Sequence, residues 1–228
     1  MARRKTSEMQ VIKNIIFDFG GVLVDLDRRK CIDAFVRIGA GAIAGYVDEC
    51  RQEDLFHDLE VGNIGVAEFC EAVRRACPGC TATDADICDA WNALLAGIPR
   101  YRLERLAALR GEYRLALLSN TNPIHWNKSV SDYFTQCGLT VNDYFGNIYL
   151  SYEMHMLKPD AEIFRKVLDD SGMNAGETLF IDDSAANCEG AKRLGINVMH
   201  IDLSGRESST CKPTDTSTGS VYASIWQL

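Results

Sequence analysis

Short apolar runs that end at a polar residue recur along this chain, and they constrain its fold more than any other feature. Each run is rich in branched residues, as are strands that are buried on both faces of a parallel sheet. The first run ends at Asp18, the second at Ser119 and the third at Asp182. We therefore predict strands over residues 11–17, 113–118, 178–181 and 197–201, with another short apolar run at residues 147–151.

Helical patterns lie between the later apolar runs. Residues 161–171 place four apolar side chains on one face, and residues 185–194 form a second short helix before Gly195. Strands that alternate with helices predict an α/β fold with a Rossmann-like, doubly wound parallel sheet. The chain has 228 residues, which is enough for one large domain or for a core domain with a smaller insert.

The segment at residues 28–105 differs from the rest because its pattern is helical and shows no convincing strand. An all-helical insert after the first strand predicts a small cap domain over an α/β core of residues 11–27 and 106–203. Residues 204–228 are polar and rich in Ser and Thr, so we expect a mobile tail. The predicted cap helices cover residues 30–38, 43–54, 66–76 and 84–95.

Ligands of open parallel sheets bind beyond the carboxyl ends of the strands, so the polar residues at those ends form the candidate site. Three acids brought together there repel each other, and an unpaired buried charge is costly. A hard cation such as Mg²⁺ removes this repulsion because it takes oxygen ligands. The strand-end residues are Asp18, Ser119, Asn120, Thr121, Asp182 and Asp183, and Lys158 follows the 147–151 run.

Two features of this set favour a phosphate ligand. The turn after Ser119 offers backbone N–H groups, and Lys158 adds a positive point charge. A carboxylate nucleophile, a metal ion, amide donors and a lysine together make a phosphoryl-transfer site, where positioning and charge stabilisation carry most of the catalysis.

The sequence resembles the haloacid dehalogenase (HAD) superfamily in four motifs that occur in the superfamily's order. These motifs are D-F-G-G-V-L, L-L-S-N-T-N, K-P and F-I-D-D-S-A-A-N. The resemblance covers roughly residues 12–201 and includes a helical insert at the usual cap position. The wording of the first two motifs is similar to the branch that contains the bacterial alpha-D-glucose-1-phosphate phosphatase.

The resemblance implies a magnesium-dependent phosphatase in which Asp18 is the catalytic nucleophile and forms an aspartyl-phosphate. Asp18 is also expected to bind Mg²⁺, with Asp183 as the second direct ligand. Asp182 is expected to bind the ion or to hold a metal-bound water, and the carbonyl of Gly20 is expected to be a further ligand.

The resemblance also implies which residues bind the phosphate. Ser119 and Asn120 are expected to hold the transferring group. Lys158 is expected to be catalytic and to stabilise both the phosphate and the Asp18 carboxylate. Asn187 departs from the superfamily pattern because many relatives have an acid there, which weakens the expected outer metal shell.

Gly20 is a second departure, because most phosphatases of the superfamily have an aspartate two residues after the nucleophile. That aspartate protonates the leaving oxygen and later activates water, which is typically worth about 10²–10⁴ in rate. A substrate whose leaving group needs little protonation, such as a sugar 1-phosphate, explains the glycine. A different acidic residue that replaces the missing aspartate also explains the glycine, and so does a slow or degenerate phosphatase. We favour the undemanding leaving group and the substitute acid. The candidate substitutes are Asp25, His57, Asp58 and Glu60.

The charge balance bears on partners and location. Acidic residues outnumber basic ones by 32 to 24, for a formal net charge of −8, and such a chain without a basic stripe is a poor nucleic-acid binder. No apolar run reaches the length of a membrane span, and no export signal follows the basic start. We expect a cytoplasmic monomer or small homo-oligomer that acts on a small phosphorylated metabolite, without nucleic-acid or membrane partners.

The chain has nine cysteines, which we expect to be reduced thiols. Cys77 and Cys80 form a C-x-x-C flanked by Cys70 and Cys88, and thiolates suit a structural zinc site. The Pro-Gly between Cys77 and Cys80 marks a turn, however, and the outer cysteines have no recognised metal spacing. We favour a turn between two cap helices over a zinc site.

Two other functions compete with a phosphatase of sugar phosphates. A 2-haloacid dehalogenase also uses an aspartate nucleophile and lacks the acid two residues later, but it does not need the pair Asp182 and Asp183. A degenerate, non-catalytic module would bind a phosphate ligand without turning it over.

Overall fold

A parallel five-stranded sheet forms the centre of the computed structural model, which describes residues 11–49 and 55–201. Its strands are β1 (Asn14–Phe17), β4 (Arg114–Ser119), β5 (Asn147–Leu150), β6 (Thr178–Asp182) and β7 (Asn197–His200). The spatial order is β5-β4-β1-β6-β7, so β1 lies between β4 and β6. A separate antiparallel ribbon pairs β2 (Asp25–Leu26) with β3 (Leu95–Gly97). The Rossmann-like α/β prediction is confirmed.

Both faces of the sheet are buried, which is why its strands have nearly continuous apolar sequences. Along β1, Ile15 and Phe17 join an apolar cluster on one face, whereas Ile16 joins a different cluster on the other. This alternation follows from the two-residue period of a strand. Helices cover both faces and exclude water from them.

Eleven α-helices are found in the described part of the chain, together with a π-helical turn at Ser129–Tyr133 and 3₁₀ turns at Phe134–Cys137 and Ala175–Glu177. Those between β2 and β3 are α1 (Arg28–Arg37), α2 (Gly41–Glu49), α3 (Leu55–Val61), α4 (Val66–Ala76) and α5 (Asp84–Asn92). The later ones are α6 (Arg100–Leu109), α7 (Pro123–Lys128), α8 (Val141–Tyr144), α9 (Ser151–Met154), α10 (Ala161–Ser171) and α11 (Ala185–Lys192).

Helices α1 to α5 pack around an apolar cluster of their own. Phe35, Phe56, Phe69 and Trp91 are at its centre, and Ile124 of α7 joins it from the side of the sheet. A group of helices with its own apolar core is what a separate domain requires, and the cap domain expected from the sequence stays a prediction. We refer to α1–α5 below as the cap helices.

The structure differs from the sequence expectation at three places in this region. The segment 28–105 contains the short strand β3, whose three residues are too few to show a period. The expected boundary at residue 105 falls inside α6, which packs Leu103, Leu106 and Leu109 against the sheet. The expected helix at 43–54 begins earlier, as α2, and its last residues lie outside the described part. The expected tail at 204–228 also lies outside it.

Two findings concern the membrane and the thiols. Among residues 11–49 and 55–201, no helix has the length and apolar character that crossing a bilayer requires. The seven cysteines in these ranges are all free thiols, and the Sγ atoms of Cys70 and Cys88 are 4.0 Å apart.

A buried histidine joins the cap helices to the sheet side of the molecule. His125 of α7 stacks on Trp91 of α5 with 4.4 Å between ring centroids. Its Nε2 lies 3.0 Å from the Trp91 carbonyl oxygen, and its Nδ1 lies 3.2 Å from the Asn122 side-chain amide. A neutral ring that donates from Nε2 and accepts at Nδ1 satisfies both contacts. Burial lowers the pKa of His125 to about 4, although the bond to Trp91 partly offsets this.

This histidine predicts a pH effect on stability. The unfolded chain binds a proton to His125 below about pH 6.5, while the folded chain resists it down to about pH 4, so the His125 contribution falls as the solution is acidified. Between about pH 7.5 and pH 5 the wild type should lose about 2 kcal/mol of unfolding free energy relative to His125→Gln. Urea unfolding of both proteins at the two pH values measures this. Equal pH dependences in the two proteins would show that His125 is not held neutral.

Candidate active site

Lys158 is the centre of a buried charged cluster at one edge of the sheet. Its Nζ donates to Asp18 Oδ1 at 2.7 Å, to Asp182 Oδ2 at 2.7 Å and to the Leu118 carbonyl oxygen at 3.0 Å. All three ammonium donors are therefore used. The Lys158 side chain is 1% exposed and that of Asp182 is 0% exposed, so water does not screen these charges.

The sheet order explains why these groups meet. Asp18 directly follows β1, Asp182 is the last residue of β6, and Leu118 is the last residue but one of β4. Because β4, β1 and β6 are parallel neighbours, their carboxyl ends lie side by side. Lys158 enters from the segment between α9 and α10, and the Lys158-Pro159 peptide bond is cis.

Asn120 holds the backbone of Lys158 in place. Its side-chain amide donates to the Lys158 carbonyl oxygen at 2.9 Å, and its Oδ1 accepts from the Lys158 N–H at 2.9 Å. The Asn120 side chain thus positions the lysine, a role that the sequence did not suggest. The contact with phosphate that the resemblance implies for Asn120 is thereby left to its backbone N–H. The neighbouring Ser119 hydroxyl is buried at the same edge.

Asn187 bonds to the Asp182 carboxylate from the position at which many relatives have an acid. Its Nδ2 lies 3.1 Å from each oxygen of Asp182, and the Ser184 N–H donates to Asp182 Oδ1 at 2.7 Å. With Lys158 on Oδ2, the Asp182 carboxylate accepts bonds from three residues. A carboxylate at position 187 would repel Asp182, whereas the amide stabilises its charge.

Three carboxylates at this edge have the geometry of a cation site. Oxygen atoms of Asp18, Asp182 and Asp183 all lie within 4.8 Å of one another. One ammonium among three carboxylates leaves an excess of negative charge, which a divalent cation would neutralise. An all-oxygen donor set suits Mg²⁺, so the residues fit the ion that the sequence led us to expect. Within the described residues, the Cys77–Cys80 region forms no such group of three or more ligands.

The charges in the cluster shift its pKa values. Burial raises the pKa of Asp18 to about 7, and repulsion from Asp182 and Asp183 adds to this, while Lys158 opposes it. Burial alone would lower the pKa of Lys158, but attraction to Asp18 and Asp182 outweighs it and the pKa is raised. Lys158 therefore stays charged, and a nearby cation would favour the ionised form of Asp18.

A cavity of about 510 Å³ lies between the cap helices and this edge of the sheet. The residues that line it from the cap side and β2 are Leu26, Arg28, Tyr46, Val47, Phe56, His57, Glu60, Trp91 and Leu94. Asn120, Leu157, Lys158, Pro159 and Asp160 line it from the other side. The volume suits a small molecule, and Lys158 connects the cavity to the charged cluster.

The structure separates the four candidates for a substitute acid. His57 and Glu60 line the cavity. Asp25 forms an ion pair with Arg102 at 2.9 Å, and Asp58 accepts a bond from Asn63 at 3.0 Å, and neither lines the cavity. At Gly20, a Cβ would meet Leu26 Cδ1 at 3.6 Å, so Leu26 occupies the neighbouring space.

The parallel sheet, the acidic side chains at its strand ends and the overlying helices define a capped α/β hydrolase. Residues 12–195 match the haloacid dehalogenase-like hydrolase family, and the chain belongs to this family. It is 37% identical over 185 residues to the D-ribitol-5-phosphate phosphatase of Bacteroides thetaiotaomicron. The matched region covers 81% of this chain and 89% of that protein.

Solved structures show the same relationship. An HAD family enzyme from Bacteroides thetaiotaomicron, in complex with magnesium and inorganic phosphate, has a TM-score of 0.79 and 42% identity over 85% of this chain and 96% of its own. The L-2-haloacid dehalogenase of Xanthobacter autotrophicus has a TM-score of 0.60 over 86% of this chain and 80% of its own. Its identity is 22%, so it shares the fold alone.

The buried cluster predicts a large loss of stability when the positive charge of Lys158 is removed. Lys158→Met leaves the carboxylates of Asp18 and Asp182 buried beside each other without a positive charge to neutralise them, and it should lower the free energy of unfolding by about 3–5 kcal/mol. Denaturant unfolding in the presence of a chelator measures this. Arg100→Met, which removes the exposed pair with Glu104, is the control and should change stability little. A Lys158→Met protein as stable as the control would mean that Lys158 does not neutralise the two carboxylates.

Proposed function

We propose that this protein is a magnesium-dependent phosphatase that hydrolyses a small phosphorylated sugar or polyol through an aspartyl-phosphate on Asp18. The observation that carries the proposal is the buried cluster itself. Lys158 contacts Asp18 at 2.7 Å, and Asp182 and Asp183 place carboxylate oxygens within 4.8 Å of Asp18. A nucleophile, a fixed positive charge and a cation site thus share one edge of the sheet.

The similar proteins support the reaction and its substrate class. A relative at 37% identity is named a D-ribitol-5-phosphate phosphatase, and a structural neighbour at 42% identity was crystallised with magnesium and inorganic phosphate. A polyol phosphate of that size also suits a cavity of about 510 Å³ with both polar and apolar walls.

In this mechanism, the Asp18 carboxylate attacks phosphorus in line, and the bond between phosphorus and the ester oxygen breaks. The leaving oxygen takes a proton from a group that faces the cavity, for which His57 and Glu60 are the candidates, and departs as an alcohol. Water then attacks the phosphorus of the aspartyl-phosphate, which releases inorganic phosphate and restores the Asp18 carboxylate. The water that attacks in this second step gives a proton back to the group that protonated the leaving oxygen. Lys158 orients Asp18 through Oδ1 and offsets charge on the phosphoryl group, which Ser119 and the backbone N–H of Asn120 hold.

Mg²⁺ would be held by Asp18, Asp183 and the carbonyl oxygen of Gly20, and it would supply the positive charge that lets an anionic phosphate approach a carboxylate. Asp182 accepts bonds from Lys158, Ser184 and Asn187, so its main proposed role is to position Lys158 and the outer part of the metal site.

The cluster of three carboxylates also favours the phosphatase over the competing dehalogenase. A dehalogenase reaction has no need for a cation, whereas Asp18, Asp182 and Asp183 lie together at ligand distance. We include in the proposal the cytoplasmic location and the monomer or small homo-oligomer expected from the sequence.

A phosphate-release assay tests the proposal. With Mg²⁺, the wild type should release phosphate from sugar and polyol phosphates, and a chelator should abolish the release. Asp18→Asn should lower the rate by about 10³-fold or more, because the amide is not a nucleophile. Asp169→Asn, a change at an exposed aspartate of α10, is the matched control and should keep wild-type activity.

Three results would contradict the proposal. Equal phosphate release by Asp18→Asn and the wild type would show that Asp18 is not the nucleophile. Chloride release from chloroacetate without added metal would favour the dehalogenase. Binding of phosphorylated ligands without turnover by the wild type would favour a non-catalytic module.

A further inference from the structure

Ser151 is a fully buried residue that none of the proposed catalytic steps uses. It is the first residue of α9, directly after β5, and its exposure is 0%. Its Oγ accepts a hydrogen bond from the Thr121 N–H at 2.9 Å and lies 2.6 Å from the Glu60 carbonyl oxygen and 3.0 Å from the Thr121 carbonyl oxygen. A hydroxyl has one proton to donate, and the shorter distance assigns it to Glu60.

This hydroxyl therefore connects two parts of the active site. Thr121 follows Ser119, the last residue of β4, and Asn120, and these two are the proposed phosphate-binding residues. We call residues 119–121 the phosphate-binding turn. Glu60 belongs to the last turn of α3, a cap helix. Because β4 and β5 are neighbouring strands, Ser151 lies beside the phosphate-binding turn, and its hydroxyl reaches the cap helix from there.

Two other contacts dock the end of α3 on α9. Nδ1 of His155 lies 3.0 Å from the Val61 carbonyl oxygen. Gly62 has a φ of +79°, and a Cβ at this position would collide with the carbonyl oxygen of Tyr152. The backbone of residues 61 and 62 therefore lies directly against α9, and the Ser151 hydrogen bond is the deepest part of this junction.

The docked helix carries two of the polar residues that line the cavity, and the cavity wall also includes Arg28 and Tyr46 of other cap helices. His57 and Glu60 are three residues apart, a spacing that places them on the same side of a helix, and both line the cavity with Asn120 and Lys158. Gly20, the position where most related phosphatases have an acid, offers no side chain. A proton for the leaving oxygen must then come from another group, and His57 and Glu60 are candidates because both line the cavity.

We propose that the buried hydroxyl of Ser151 is a positioning group that fastens α3 to the phosphate-binding turn, and that it thereby places His57 and Glu60 against the leaving group of the substrate. The inference rests on the proposed phosphatase function. Ser151 lies outside the four family motifs. Its proposed role is to hold the leaving-group side of the site at a fixed distance from the phosphate side.

A double-mutant cycle between Ser151 and His57 tests this coupling. Ser151→Ala and His57→Gln should each lower kcat/KM for D-ribitol 5-phosphate by about tenfold more than for p-nitrophenyl phosphate, whose leaving group needs no protonation. If Ser151 acts through α3, kcat/KM of the double variant should be no lower than that of the less active single variant. Both changes remove the same contribution, which is His57 held at the leaving group.

Two further variants distinguish a positioning role of Ser151 from non-specific destabilisation of the fold. Ser151→Cys keeps a weak donor and acceptor and should recover part of the loss seen in Ser151→Ala, and it carries the same test if the alanine variant does not fold. Ser171→Ala removes a buried hydroxyl that bonds within α10, to Val167 at 2.6 Å, and should leave both substrates unaffected. Hydrogen exchange should show faster exchange of α3 amides in Ser151→Ala, with β4 unchanged.

Additive losses in the double variant, or equal losses on both substrates, would overturn the inference. Unchanged exchange of α3 amides in Ser151→Ala would also overturn it. A wild type that hydrolyses neither ester would instead overturn the proposed phosphatase function, and the exchange measurement would still decide whether Ser151 fastens α3.

Discussion

Charge neutralisation by one buried lysine is the interaction on which the rest of this structure depends. Asp18 and Asp182 end neighbouring strands, so the sheet that forms the core also forces two carboxylates together away from water. The Lys158 ammonium lies 2.7 Å from each of these carboxylates and neutralises charge on both. Asn120 bonds to the Lys158 backbone, and Asn187 bonds to the Asp182 carboxylate. Because three carboxylates still outnumber one ammonium, the cluster keeps an excess of negative charge that a divalent cation would neutralise.

The cap helices complete this edge of the sheet in a specific way. Their own apolar core makes them a compact unit, and His125 and Ser151 join that unit to the strands at two separate points. The Ser151 hydroxyl bonds both to Thr121, which follows the proposed phosphate-binding residues, and to the carbonyl oxygen of Glu60 in the cavity wall. In the proposed mechanism, the phosphate side and the leaving-group side of the site are therefore positioned through one shared contact.

Much of this could be predicted from sequence because it follows from local patterns. The apolar runs located the strands, and strand ends located Asp18, Ser119 and Asp182, since carboxyl ends of parallel strands share one edge. The side-chain bonds of Asn120, Asn187 and Ser151 could not be predicted, because each depends on a distant partner whose position only the tertiary structure fixes. The β2–β3 ribbon was missed for a different reason: two- and three-residue strands have no readable period.

The central claim is that Asp18, Asp183 and Lys158 form one centre that binds a divalent ion and a phosphoryl group together. A crystal structure grown with Mg²⁺ and beryllofluoride tests it most directly. The account predicts the ion between Asp18 and Asp183, with a beryllofluoride adduct on Asp18 that contacts Lys158. An ion bound elsewhere, or an adduct on a different side chain, would contradict it.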